Sequence, residues 1–128
     1  MPEDETFRMG EALRREMIGE PEAAIQAGKL QGWVKLFRDK EIEHLWAPYW
    51  TRTELLDRKS RAVCALTCLV MLGYEEDLSD LIRGLVKNEI LTRIEIREVI
   101  MQCPGYIGYP KTLGARKVAQ RVFNEKDL

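Results

Sequence analysis

Only one histidine and three cysteines occur in 128 residues. One imidazole among scattered carboxylates supplies no metal-ligand cluster. No glycine-rich phosphate loop is present. Cys64, Cys68 and Cys103 are odd in number and lack the spacing of a disulfide framework, which predicts reduced thiols in the cytoplasm. The longest strongly apolar run, Ala62 to Leu72, falls short of the roughly 20 residues that cross a bilayer, so no membrane partner is expected. Residues 1–6 are acidic and carry no signal-peptide pattern. Lys+Arg is 20 and Asp+Glu is 21, a net charge of −1, which argues against nucleic-acid binding by phosphate neutralisation. Repeats, low-complexity stretches and convincing period-two strands are also missing.

What is present reads as one helical domain over 1–128. Hydrophobic residues make up 45% and charged residues 32%, an ordinary globular balance. Met9, Leu13 and Met17 form a stripe on a helix from Glu5 to Ile18, stopped by Gly19 and Pro21. Pro21 suits the start of a short helix, Glu22 to Ala27. A third helix follows Gly32, with Trp33, Phe37 and Leu45 near one face and Pro48 ending it. Asp57 is a plausible cap for a helix from Arg58 to Leu72. That segment is apolar on most sides, so it is expected at the centre of the core with Cys64 and Cys68 buried. Gly73 closes it. Leu78, Leu81, Ile82, Leu85 and Val86 recur at helical spacing within Asp77 to Lys87. Thr92 and Glu95 make a capping box for a helix to about Cys103. Pro104 to Pro110 bends the chain, and Pro110 opens a last helix to about Phe123. The expected fold is all-α, with six or seven helices.

The order of these segments resembles the carboxymuconolactone decarboxylase family, within the alkylhydroperoxidase D-like superfamily. The resemblance rests on Arg61 to Thr67 running on to Leu72-Gly73, Leu78 through Arg83-Gly84-Leu85, Glu95 to Gln102, and Tyr106-Ile107-Gly108-Tyr109-Pro110. Upstream, Arg14 to Gly19 is similar to the family's arginine-rich first helix, and Trp46 through Arg52 to its tryptophan-flanked segment. The resemblance implies a helical subunit forming trimers or hexamers, with a pocket near subunit contacts and no organic cofactor. It also implies a small-molecule carboxylate or carbonyl substrate. The family pattern has a histidine two residues before the Arg-Gly pair, where this chain has Leu81. It has Gly-Glu after the first tryptophan, where this chain has Ala47-Pro48. The peroxidase branch needs Cys-x-x-Cys, whereas Cys64 and Cys68 are four apart.

Losing carbon dioxide leaves an electron pair that a neighbouring carbonyl can take up as an enolate. An enzyme must fix the carboxylate, stabilise the oxyanion and deliver a proton. Arginine suits the first two tasks through its planar fork. Arg83 and Arg61 stand at family-matched positions, and each also reads as a structural ion pair. His44 offers acid–base chemistry, because imidazoles ordinarily titrate near neutrality. A lone histidine on a helix is also an ordinary surface residue. Glu98 is either a proton carrier or half of a helix–helix ion pair. Tyr106 and Tyr109, in the Gly-Pro bend, can donate to an enolate oxygen or simply pack with wet tips. Cys103 borders the same bend as a pocket wall or a small core residue. Trp46 and Trp50 form a wall for a flat substrate or anchors in an oligomer interface. Leu81 would line the pocket in place of the family's histidine.

The resemblance implies a cofactor-independent lyase that decarboxylates a small lactone acid or an aromatic, polyketide-type acid. A cofactor-free cyclase or isomerase is the second reading. A non-catalytic oligomeric binding or scaffold subunit is the third.

Overall fold

A computed structural model describes residues 3–20 and 32–128. Pro21 and the expected helix from Glu22 to Ala27 lie outside the described residues. All regular structure among the described residues is helical, as the periodicity predicts. The elements are α1 (Glu3–Ile18), α2 (Gly32–Glu41) running into a π-helical segment (Ile42–Trp50), α3 (Arg58–Leu72), α4 (Glu75–Lys87), α5 (Arg93–Gln102), the short α6 (Pro104–Ile107) and α7 (Tyr109–Phe123). Packing divides the chain into two compact units, Met1–Asp57 and Arg58–Leu128.

In the first unit, α1 packs along the π-helical segment. Leu13 and Met17 are buried as the stripe predicts, whereas Met9 is half exposed at its edge. Trp33, Phe37 and Leu45 do not form the buried face expected of them. Trp33 is 75% exposed and Phe37 66%, with their rings meeting edge-on at 6.5 Å. The buried positions are instead Arg38, Ile42, Trp46, Ala47 and Trp50. Hydropathy misjudged this face because one of its members is a guanidinium. Arg38 is 4% exposed and fully paired. Its Nε and Nη2 donate to Glu20 at 2.8 Å each, and it also pairs with Glu11 at 2.8 Å and Asp39 at 3.1 Å. Arg14 does the same work nearby, its Nε donating to Glu41 Oε2 at 2.9 Å and its Nη1 to the Gly19 carbonyl at 2.5 Å. Buried charges persist when paired and hydrogen-bonded in this way.

Pro48 does not end its helix. It sits inside the π-helical segment. Proline lacks an N–H and its ring collides with the carbonyl four residues back in an α-helix. The wider π turn accommodates that defect without breaking the rod.

In the second unit, α4 supplies the most regular face: Leu78, Leu81, Ile82 and Leu85 are all at or below 2% exposure. Each such side chain contributes about 1.5–3 kcal/mol by leaving water. Ala115, Val118, Ala119 and Val122 of α7 pack against it, and Ile96 and Ile100 of α5 complete the core. The Thr92–Glu95 box forms as predicted, the Glu95 N–H donating to Thr92 Oγ1 at 3.0 Å and the Thr92 N–H to Glu95 Oε1 at 2.9 Å. Gly73 closes α3 at φ +75°, with the N–H groups of Gly73 and Tyr74 returning to the Leu69 carbonyl. This is the left-handed cap that glycine permits.

The expectation for α3 itself was too apolar. Only Ala62, Leu66 and Val70 are buried, while Cys64, Cys68, Met71 and Leu72 are exposed. A helix apolar on most sides still has only one side turned to its neighbours, α4, α5 and α7.

Gly10 tests the closeness of the first unit. A Cβ there would lie 2.5 Å from the Ala47 nitrogen and 2.7 Å from its Cα, and backbone cannot give way as a side chain does. Gly10→Ala should therefore destabilise the protein by about 1–3 kcal/mol. Thermal unfolding read by circular dichroism would show the loss as a lower midpoint.

Candidate functional site

A groove of about 580 Å³ opens between α3, α5 and α6, within the size range of small-molecule sites. Val63, Thr67 and Met71 form one wall, each a turn apart along α3. Glu98, Val99, Gln102 and Cys103 form the other, with Tyr106 and Ile107 across the end. Three residues singled out from the sequence thus meet here: Glu98, Cys103 and Tyr106. The chain bend creates this meeting. Cys103 ends α5, Pro104 starts α6, and Gly108 at φ +90°, ψ 156° turns the chain into α7. L side chains rarely adopt that conformation.

The lining is nearly all hydrocarbon, and it includes no cation. Tyr106 is 83% exposed and stands at the rim. Cys103 is buried, and its thiol donates to the Val99 carbonyl at 3.2 Å. Burial also pushes the Cys103 thiol up, so it is a neutral wall group at physiological pH rather than a nucleophile. Sequence reasoning missed Thr67, Gln102, Val63 and Met71. The four-residue spacing of Val63, Thr67 and Met71, and of Glu98 and Gln102, was the signal that could have paired these faces.

The remaining candidates lie elsewhere. Leu81 is 2% exposed, inside the core of the second unit. Arg83 is engaged in ion pairs: its Nε and Nη2 each donate to Glu125 at 2.7 Å, and its Nη1 to Asp80 at 3.1 Å. The planar fork of Arg83 thus grips the C-terminal segment. Arg61 is half-buried on α3. Tyr109 is 78% exposed and lines a second groove of about 540 Å³ between α5 and α7, with Met101, Leu113 and Arg116. His44, Trp46 and Trp50 belong to the first unit. His44 is exposed. Trp46 and Trp50 are 3% and 5% exposed and stack at 4.8 Å. The Trp46 indole N–H donates to Glu41 Oε2 at 2.5 Å. This buried pair packs its own unit.

No family model matches the chain. Curated proteins do. The chain is 28% identical to the 4-carboxymuconolactone decarboxylase of Acinetobacter baylyi over 128 residues, all of this chain and 92% of the relative. Decarboxylases are what it is similar to. A second relative is the nitrosuccinic acid decarboxylase npaB of Metarhizium robertsii, 25% identical over 119 residues, 93% of this chain and 82% of the relative. These likenesses support the family seen in the sequence. No helix among the described residues is long and apolar enough to cross a membrane.

The Arg83–Glu125 pair yields a pH prediction. Hydrogen bonding from Arg83 holds the Glu125 carboxyl below its ordinary 4.5. A carboxylate depressed on folding stabilises the protein above its unfolded pKa and loses that contribution as pH falls through the folded value. Wild type should therefore exceed Glu125→Gln in stability near pH 7, with the gap closing as pH falls below the ordinary 4.5. Urea midpoints for the two proteins across this range would show it, and a constant gap would contradict the assignment.

Proposed function

We propose that the chain is a member of the carboxymuconolactone decarboxylase family and removes carbon dioxide from a small organic acid without a cofactor. The observation that carries this reading is similarity along essentially the whole chain to two relatives whose names both specify decarboxylation. The groove of Glu98, Cys103 and Tyr106 is the candidate site.

Its composition suits the chemistry. A carboxylate carries concentrated charge, and the transition state disperses that charge onto carbon dioxide and an electron-withdrawing neighbour. An apolar wall penalises the concentrated form more than the dispersed one. Neutral donors then matter more than a cation. Gln102 and Tyr106 offer N–H and O–H groups to the developing oxyanion, whereas the Thr67 hydroxyl donates to the Val63 carbonyl at 2.8 Å. The C–C bond breaks, its electron pair moves into the adjacent acceptor, and the product takes one proton. Glu98 and Tyr106 are the candidate proton carriers at the groove. Arg61 and His44 remain candidate contributors, while Arg83 has a structural role in this reading.

An assay of carbon dioxide release across carboxylated lactones, nitro acids and aromatic acids tests the reading. Glu98→Gln and Tyr106→Phe should each lower kcat by about 10²-fold or more on an accepted acid. Absence of carbon dioxide from every acid, or unchanged turnover in both variants, would remove it.

The same reading includes a homo-oligomer. Tyr106, Tyr109, Met101 and Ile94 are between 65% and 83% exposed, an apolar surface that a second copy can cover. Sedimentation velocity should show a species larger than one chain, and a monomer at micromolar concentration would contradict it.

A further inference from the structure

Cys64 and Cys68 lie one turn apart on α3, and both are exposed. Their spacing of four residues sets both side chains on one face of α3. Partial desolvation and the adjacent Cys64 push the Cys68 thiol up. Nothing in the proposed chemistry uses either sulfur, and neither lines the groove.

Helix geometry decides what the pair can do. Side chains four residues apart hold their Cβ atoms about 5–6 Å from each other. A disulfide needs Cβ atoms roughly 3.5–4.5 Å apart, so oxidation would have to deform α3. A bridging atom removes that conflict. Two bonds of about 2.3 Å meeting at the roughly 95–100° angle of a pyramidal three-coordinate centre separate sulfurs by about 3.5 Å, well beyond the roughly 2.05 Å of a disulfide, so the helix has less distance to close. No group of three or more His, Cys, Asp or Glu residues among the described residues is placed to hold a metal ion. Two sulfur donors without a third ligand exclude a closed zinc site, which takes four ligands, and favour a thiophilic centre of low coordination.

We propose that Cys64 and Cys68 form a surface dithiol site that captures a trivalent organoarsenic group, bridging the two sulfurs. The exchange balances without a redox step: R–As=O and two thiols give R–As(S)₂ and one water, both sulfurs keeping their oxidation state. The site is independent of the decarboxylase reading.

The test uses the full-length reduced protein with one equivalent of phenylarsine oxide and excess glutathione as competing monothiol. Intact mass should show one phenylarsenic group per chain, and native thiol titration should show two thiols protected. Cys64→Ser and Cys68→Ser should each weaken capture by about 10²-fold, the advantage that a second tethered bond confers. Cys103→Ser should leave it unchanged, because that thiol is buried and faces Val99. Circular dichroism of each variant checks that α3 is intact. Failure of the native protein to take up the arsenical, or undiminished capture by a folded Cys64→Ser protein, would overturn the proposal.

Discussion

The chain cannot continue as one helix from Arg93 to Phe123. Pro104 and Pro110 lack the N–H groups an α-helix interior needs, and Gly108 takes a backbone conformation that a side chain would forbid. That enforced break is the constraint on which the candidate site depends. It parts α7 from α5, so that α7 can pack on α4 while α5 keeps its contact with α3. It also sets Cys103 into a wall and Tyr106 at a rim. A continuous helix would carry both side chains away along one axis, and the groove would lose its closed end.

The two units achieve order differently. The second is built on hydrocarbon: four near-completely buried side chains of α4 meet the small residues of α7. The first relies more on paired charge. Arg14 and Arg38 are almost fully withdrawn from solvent, each ringed by carboxylates or a carbonyl. Such pairs contribute little net stability against a hydrophobic alternative, yet they punish any arrangement that leaves one partner unpaired. They define how α1 meets α2 more than they strengthen the contact.

The parts of the fold that sequence reasoning found are those governed by local chemistry. Thr92 and Glu95 announce a helix start because both halves of the cap lie within four residues, and Gly73 announces an end because only its conformation fits there. α4 was legible because its apolar residues recur at the helical period. The errors have a common cause. The rule for α-helices ends a helix at Pro48, and the winding at that point is not α. Arg38 escapes the hydrophobic pattern because a charge on a buried face cancels the periodicity that reveals the face. Composition points Cys64 and Cys68 inward, yet both are exposed, because it says how apolar a helix is and not which side has neighbours. In the candidate site, Glu98, Cys103 and Tyr106 were named one at a time, and only the folded chain brings them around one hollow. Arg83 has a partner, Glu125, that lies 42 residues away, beyond the reach of any local pattern.

The tryptophans are confined to positions 33, 46 and 50, so the second unit contains no indole. Intrinsic fluorescence of this protein is therefore dominated by its first half. Trp46 and Trp50 lie face to face in a dry setting, and Trp33 sits in water, so the emission contains a blue and a red component from one short stretch of chain. The second half, whose tyrosines Tyr74, Tyr106 and Tyr109 are all wet, is spectrally quiet by comparison. Its events become visible optically only when an indole is introduced or a chromophoric ligand arrives.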